Sequence, residues 1–452
     1  MDSDYKRTLY RKISFRLIPL LFLGYVMAFL DRVNIGFAKL QMAGDLGFSD
    51  AVYGLGAGLF FIGYCLFEVP SNVAMTRVGA RRWMTRIMVS WGVISAMFIF
   101  VDDFHWAGAA QMVGLNDAQF SFYLLRFLLG VAEAGFYPGI ILYLTYWFPR
   151  SRQAAVIALF MSAVGASNVL GGPLSGAILQ FCDGWGNLRG WQWLFLLEGV
   201  PSVVVGFTFL FFLPDNPAGA SWLSDAERGT IEADIAREEP SAHEGGHLAT
   251  LGAVLTNPRL WVLGLAYMAG TIALYAVTFW MPTLIQQFDI NKTAYLEIGL
   301  LSMIPWGVMA VCQIGWARHS DRTGERRWHS FLGYLLASAG LVTLAAFSAS
   351  EFVSMMALTM VTTGLGFSIV TFWPLAHRYF TSESAAAGIA MINSFGALGG
   401  YFGPLLIGVI GVGTASGGSA FLPLAAIAFS GGVVLLAATL PRRGPPLNMQ
   451  SR

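Results

Sequence analysis

The chain has 452 residues, of which 56% are hydrophobic and 12% charged, whereas an ordinary soluble domain is about 25% charged. Apolar stretches of roughly 20 residues, long enough to cross a bilayer, recur along almost its whole length. This pattern excludes a soluble globular protein and predicts the lipid bilayer as partner. The net charge of +1 comes from basic residues scattered in short loops, which argues against nucleic acid. Cys65, Cys182 and Cys312 are too far apart to predict a disulfide framework or a metal cluster.

Twelve membrane spans are predicted in chain order. They cover residues 16–38, 52–75, 83–101, 119–147, 153–180, 191–213, 259–287, 295–317, 329–349, 352–376, 385–411 and 419–440. One long polar segment separates the sixth span from the seventh. The sequence therefore predicts an all-α integral membrane protein with a first bundle of six helices over 1–213, a cytoplasmic linker over 214–258 and a second bundle over 259–452.

Lysine and arginine residues are distributed unevenly between the two sides of the predicted bundles. Loops on the side of the chain termini carry most of them, and loops on the other side carry only Lys39, Arg189 and Lys292. Cytoplasmic loops are the ones enriched in these residues. Both termini and the linker are therefore expected to be cytoplasmic.

The two halves resemble each other. The motif RVGARR (77–82) follows the second span, and RTGERR (322–327) follows the eighth. Paired bundles with internal repeats are common in secondary transporters, whose substrate site lies between the repeats. Glycine pairs at GxxxG spacing are expected to allow close helix packing. They are Gly54/Gly58, Gly172/Gly176 and Gly399/Gly403.

Four charged residues lie inside predicted spans: Asp31 and Arg32 in the first, Arg126 and Glu133 in the fourth. A charge in hydrocarbon is unfavourable, so these residues predict a polar pathway rather than a lipid-facing surface. Asp31 and Arg126 both lie seven residues from the outer ends of their spans, about 10 Å deep, and would meet if the helices were neighbours. Glu133 is two turns beyond Arg126 on the same helix face.

The charges of this group sum to zero when all four are ionised. Arginine stays protonated, whereas a buried carboxyl group can take up a proton. Protonation of Asp31 and Glu133 would leave two guanidinium groups free to hold a carboxylate with paired hydrogen bonds. Proton uptake and anion binding would then favour each other, as symport requires. The alternative is a static network that holds the helices together.

Two further buried acids, Glu68 and Glu198, are predicted to have structural roles. Glu68 lies near the cytoplasmic end of the second span and is expected to pair with the basic loop behind it. Glu198 lies near the outer side of the sixth span. The sequence contains no glycine-rich phosphate loop, nucleophile elbow or zinc motif, so neither an enzyme nor a bound cofactor or metal is predicted.

Several segments resemble the anion:cation symporter family of the major facilitator superfamily. They include RLIPLLFLGYVMAFLDRVNIGFAKLQM, YLLRFLLGVAEAGFYPGIILYLTYWFP and AGIAMINSFGALGGYFGPLLIG. The resemblance covers almost the full chain, and its most specific parts are DRVN and RFLLGVAEAGF. Within the family, the bacterial phthalate, tartrate and hydroxyphenylacetate permeases are the most similar branch.

This resemblance implies a major facilitator fold, with twelve transmembrane helices in two six-helix bundles, and proton-coupled import of an organic anion across a bacterial inner membrane. A monomer suffices for this fold. Asp31 and Glu133 match the family's proton-coupling acids. Five positions match its anion-binding or cavity-lining residues: Arg32, Arg126, Tyr64, Trp373 and Asn393.

The loop motif of the first half departs from the superfamily pattern. An acid usually precedes the first arginine of the motif, and the second half has it at Asp321, but the first half has Thr76. Glu68 or a neighbouring helix is expected to supply the missing acid.

Aromatic residues near the expected cavity favour an aromatic carboxylate, because rings stack on and bury such a substrate. They are Tyr25, Phe29, Tyr275, Trp280, Trp306, Phe372 and Trp373. A tartrate-like dicarboxylate or a sugar acid is the alternative substrate. An anion exchanger or efflux protein is the alternative mode of transport. A transporter-like membrane sensor is disfavoured, because no soluble signalling domain is predicted.

Overall fold

The computed structural model describes residues 2–238, 256–288, 291, 293–347, 350–380, 385–411 and 420–440. Every regular element in these residues is helical, and twelve segments are long and apolar enough to cross a membrane. The all-α class and the twelve predicted spans are therefore confirmed. Lys292, residues 239–255 of the predicted linker and residues 441–452 lie outside the described residues.

The first six spans are formed by seven helices. These are α1 (Asp2–Leu46), α2 (Asp50–Val78), α3 (Ala80–Ala96), α4 (Asp117–Glu133), α5 (Phe136–Thr145), α6 (Arg150–Phe181) and α7 (Gly190–Phe212). A polar helix, α8 (Asp225–Glu238), follows them. The remaining described spans are α9 (Pro258–Ile285), α10 (Tyr295–Thr323), α11 (Arg327–Ala346), α12 (Glu351–Ala376), α13 (Ala385–Ile410) and α14 (Phe421–Ala438).

Helix α1 extends eight residues beyond the predicted end of the first span, to Leu46. The added segment, KLQMAGDL, contains no proline, and the helix ends where Gly47 takes a positive φ of 66°. The assignment of Lys39 to an external loop was therefore wrong. Lys39 lies inside α1, is only 7% exposed, and forms an ion pair with Asp50 at 2.8 Å.

The fourth span is interrupted, although the sequence predicted one continuous helix. Helix α4 ends at Glu133, Ala134 has extended backbone angles, and Gly135 has a φ of 85° before α5 begins. Residues with side chains are strained at such a φ, so glycine suits the break. The interruption makes Glu133 the last residue of α4.

We call the side of the molecule opposite the chain termini the distal side. There, the first six spans contact the last six, with α2 against α13 and α6 against α10. A Cβ on Gly54 would lie 2.6 Å from the Pro404 carbonyl oxygen, and one on Gly172 would lie 2.7 Å from that of Gly299. The packing role predicted for these two glycines is confirmed.

Helices α6 and α10 separate toward the side of the termini, whereas α2 and α13 stay bonded through Glu68 and Asn393. Gly165 lies seven residues before Gly172 on α6, which places it on nearly the same helix face. A Cβ on Gly165, or on Gly307 in α10, would have no atom within 4 Å. Helices α6 and α10 therefore touch at the distal side and diverge from it, so the gap between them opens toward the termini.

We expect Gly172→Ala to weaken the distal contact between α6 and α10, because the added Cβ would press on the Gly299 backbone. Hydrogen exchange of residues 295–301 should then become faster, since local opening needs less free energy. Gly165→Ala is the matched control on the same helix, and it should leave that exchange unchanged. Equal exchange rates in the two variants would contradict the prediction.

Helix α8 is attached to the first half of the chain. Lys6 forms an ion pair with Asp234 at 2.6 Å, and Lys12 forms one with Glu227 at 2.8 Å. The hydrogen bond from the Lys12 ammonium lowers the pKa of the Glu227 carboxyl below its ordinary value. The division of the chain at 213 and 258 into two bundles and a linker stays a prediction.

Candidate functional site

The four charged residues of the first and fourth spans are buried together. Asp31, Arg32, Arg126 and Glu133 are exposed by 1%, 8%, 0% and 1%, respectively. They lie where α4 packs against α2 and α3 inside the first half of the chain. The structure therefore brings the predicted charged residues into one region. The low dielectric of the interior strengthens the interactions between their charges.

Arg32 and Glu133 form the ion pair of this region. The Arg32 Nη2 group donates to Glu133 Oε1. The Arg32 guanidinium carbon also lies 5.1 Å, 5.3 Å and 5.4 Å from the ring centroids of Phe29, Phe60 and Tyr64, within cation–π range. The sequence predicted a buried group of four charged residues but not this pairing within it.

Arg126 connects α4 to the backbone of α2. Its Nε donates to the Gly56 carbonyl oxygen at 3.4 Å, and its Nη2 donates to that of Ala57 at 3.2 Å. Its guanidinium carbon is 5.1 Å from the centroid of Phe60, the ring that Arg32 also contacts. In the described chain Arg126 forms no ion pair with Asp31, although the two were expected to meet.

Asp31 instead faces α3, where its carboxylate accepts a hydrogen bond from Ser95. The equal depth of Asp31 and Arg126 was a correct basis for placing them in one layer, and each lies within electrostatic range of the other. The direction in which each side chain points around its helix axis decides which partner it meets. The depth of a residue along the helix does not specify that direction.

A second buried acid lies beyond Asp31. Glu198 on α7 is 3% exposed and accepts a hydrogen bond from Ser175 at 3.1 Å, so the expected polar pairing is observed. Asn34, which is fully buried, lies within reach of both Asp31 and Glu198. Sequence reasoning missed Asn34, whose signal is an amide one helical turn after Asp31 in an apolar helix.

Glu68 connects the two halves of the chain. Its Oε1 accepts a hydrogen bond from the Asn393 Nδ2 group on α13 at 2.9 Å. The expectation that Glu68 pairs with the basic loop behind it was wrong, because the side chain of Glu68 is turned toward α13. The predicted cavity residue Asn393 is therefore hydrogen-bonded to Glu68. The Glu68 carboxylate is also close enough to Arg32 for their charges to interact.

The loop motif of the first half obtains its acid from the chain after α7. The Asp215 Oδ1 atom accepts a hydrogen bond from the backbone N–H of Arg81 at 2.8 Å, beside Gly79. A carboxylate at a helix N-terminus is favourable, because the first N–H groups have no partner within the helix. The acid missing at Thr76 is thus replaced from a neighbouring part of the fold.

The predicted aromatic residues divide into different environments. Tyr64 contacts Arg32, and Trp373 on α12 is half-buried and lies edge-on to Tyr267, with centroids 5.3 Å apart. Trp280 is fully buried in the distal contact, where its Nε1 donates to the Pro404 carbonyl oxygen at 3.3 Å. Trp280 therefore seals the distal side instead of lining the gap.

We expect Arg126→Lys to lower both thermal stability and transport. Lysine keeps the charge but cannot reproduce the planar fork that reaches two carbonyl oxygens. Each lost hydrogen bond to a charged group lowers the free energy of unfolding by about 1.5–3 kcal/mol. A lower melting temperature in detergent, together with slower uptake, would agree with this role, whereas unchanged stability and uptake would contradict it.

Comparisons with known proteins agree with this architecture. The sequence profile of the Major Facilitator Superfamily matches residues 21–404. Two proteins of Agrobacterium vitis, each named a putative tartrate transporter, are 45% and 43% identical, over 91% and 98% of this chain and 86% and 98% of their own lengths. A quinolone resistance transporter of Acinetobacter baumannii is 39% identical over 90% of this chain and 89% of its own.

A solved structure shares the fold. It is a bacterial homologue of the human lysosomal transporter Spinster, in an inward-facing and unoccupied conformation, with a TM-score of 0.70 and 17% identity over 95% of both chains. Twelve spans around buried charges define a membrane transport protein. The match over most of the length shows that the chain belongs to the Major Facilitator Superfamily.

Proposed function

We propose that this chain is a proton-coupled symporter that imports an organic carboxylate across a bacterial inner membrane by alternating access. The buried Arg32–Glu133 ion pair carries the proposal. When Glu133 takes up a proton, its carboxyl group no longer neutralises Arg32. A substrate carboxylate then replaces it at the guanidinium group, whose fork geometry suits two parallel hydrogen bonds.

The energetics of this exchange couple the two ligands. Leaving one member of a buried ion pair without its partner is unfavourable by about 3–5 kcal/mol. Arg32 therefore needs a negative partner, which is either ionised Glu133 or the substrate. Protonation favours anion binding, and anion binding favours protonation to the same extent, because linkage between two ligands is reciprocal.

The other predicted site residues assist Arg32 and Glu133 in the proposed mechanism. Asp31, which lies within electrostatic range of Arg126, is the second proton-coupling acid in the proposal. Arg126 contributes positive charge, and Tyr64, Trp373 and Asn393 line the path of the substrate. Since Asn393 donates a hydrogen bond to Glu68, a substrate carboxylate that displaced Glu68 from Asn393 would loosen this contact between the halves.

The direction of the gap supports alternating access. The distal side is closed by backbone contacts such as that of Gly172 with Gly299, while the gap opens toward the termini. With cytoplasmic termini, as the distribution of basic residues predicts, this arrangement is inward-open. The two bundles, 1–213 and 259–452, would then rock about the buried charges to expose them alternately to each side.

An aromatic acid is the proposed substrate, because Arg32 is surrounded by the rings of Phe29, Phe60 and Tyr64. A tartrate-like dicarboxylate is the second candidate, supported by the two relatives named as putative tartrate transporters. Efflux is the alternative mode of transport, supported by the relative named a quinolone resistance transporter.

The test uses purified protein in liposomes with an imposed proton gradient. Inward-directed gradients should drive accumulation of a labelled carboxylate, and a protonophore should abolish it. Phthalate, hydroxyphenylacetate and tartrate are compared as competitors at one concentration. Counterflow that is unaffected by the gradient and by the protonophore would instead indicate an exchanger. Competition by tartrate alone would favour the tartrate-like dicarboxylate as substrate.

A further inference from the structure

A pair of carboxyl groups, Asp31 and Glu198, is bonded separately from the Arg32–Glu133 ion pair. Asp31 on α1 is bonded to Ser95 on α3, and Glu198 on α7 is bonded to Ser175 on α6. All four side chains are at most 3% exposed. Helix α7 packs directly on α3, and Gly199 lies against the backbone of Gly92 and the Cβ of Ser95. The two carboxyl groups therefore occupy facing turns of the same buried region.

Asn34 lies near both carboxyl groups. Its amide lies within reach of both acids, yet in the described chain neither of its polar atoms has a partner at hydrogen-bond geometry. One oxygen of each carboxyl group, Asp31 Oδ2 and Glu198 Oε2, is likewise unpaired. Unpaired buried polar atoms are unfavourable, so a proton taken up by either acid would have acceptor atoms without partners beside it.

The surrounding charges restrict how this pair can ionise. Arg126 and Glu133 on α4 lie within electrostatic range of Asp31, and Asp31 itself is the charged group that faces Glu198. The other groups that face the pair, Ser95 and Ser175, are neutral. Two ionised carboxylates here would repel each other, and the described residues supply no basic partner to Glu198, whereas Arg126 offsets only the charge of Asp31.

We propose that Asp31 and Glu198 act as a pair that binds one proton across Asn34, so that Glu198 sets the pH range over which Asp31 couples transport. This inference rests on the proposed function. Glu198 is a positioning residue, because it acts on the coupling acid and not on the substrate. Release of the shared proton leaves two neighbouring negative charges, so the pair retains this proton to higher pH than Asp31 alone would.

The test is the pH dependence of gradient-driven uptake in Glu198→Gln. Glutamine keeps the shape and the hydrogen-bonding groups but removes the second charge. Asp31 should then lose its proton more easily, and the pH at which uptake falls by half on the alkaline side should move toward acid by about one unit, the scale of strongly interacting sites. Glu198→Asp should move this midpoint in the same direction but less, since it retains a carboxyl group.

Ser202→Ala is the matched control, because the Ser202 hydroxyl bonds to the Glu198 backbone carbonyl and does not titrate. Its midpoint should equal that of the wild type. Slower uptake with an unchanged midpoint in both Glu198 variants would overturn the inference and leave a packing role. Wild-type uptake that ignores the proton gradient would overturn the proposed function as well, so the two failures are distinguishable.

Discussion

Glu133→Gln is expected to abolish accumulation of the substrate against a gradient while preserving exchange of substrate across the membrane. Glutamine resembles the protonated acid, so Arg32 loses its ionised partner and is permanently free for a carboxylate. Without a proton to release, the substrate can only equilibrate. The measurements are gradient-driven uptake and counterflow in the same liposomes.

The same variant should change how substrate binding depends on pH. In the wild type, the affinity should fall as pH rises, because ionised Glu133 competes with the anion for Arg32. In Glu133→Gln, this dependence should become flatter, as a thermal-shift titration with substrate would show. Glu297→Gln, which removes an exposed carboxylate at the start of α10, is the control. Normal accumulation by Glu133→Gln would exclude Glu133 from coupling.

Arg32→Lys is expected to weaken substrate binding by about 10–100-fold, which corresponds to roughly 1.5–3 kcal/mol for a hydrogen bond to a charged group. An ammonium group keeps the charge but cannot present two parallel N–H groups to a carboxylate. The measurement is the substrate concentration at half-maximal exchange, which does not depend on the gradient.

A matched control for this change is Arg86→Lys. Arg86 lies on α3 and stacks on Trp83, with its guanidinium carbon 4.1 Å from the ring centroid, away from the proposed site. Exchange in this control should stay normal. If Arg32→Lys retained wild-type affinity, the substrate carboxylate would bind elsewhere, and Arg126 would be the next residue to test.

The spans were predictable because hydrophobic length alone identifies them. The extent of α1 was not, since a helix can continue past the apolar core when nothing stops it; Lys39 therefore moved from a predicted loop into a buried ion pair. The interruption at Gly135 was also missed. Glycine is frequent in membrane helices, so only the backbone conformation distinguishes a break from ordinary packing.

For the site, the sequence identified the charged residues but not their partners. Spacing along a helix predicts depth, and it placed Asp31 and Arg126 at the same depth, with Glu133 two turns beyond Arg126. Pairing depends on helix rotation and on which helices are neighbours. As a result, Arg32 pairs with Glu133, Asp31 bonds to Ser95, and Glu68 bonds to Asn393 from the other half of the chain.

The interruption of the fourth span has an electrostatic consequence for Arg32. The peptide dipoles of α4 add up to a partial negative charge at its C-terminal end, and that end is Glu133. An unbroken helix would carry this charge about a dozen residues further along, near Thr145. Because α4 stops where it does, a fixed partial negative charge lies beside the residue that pairs with Arg32, and this charge does not change when Glu133 is neutral. In the proposed mechanism, it would help to hold the guanidinium group in place while the proton and the anion exchange.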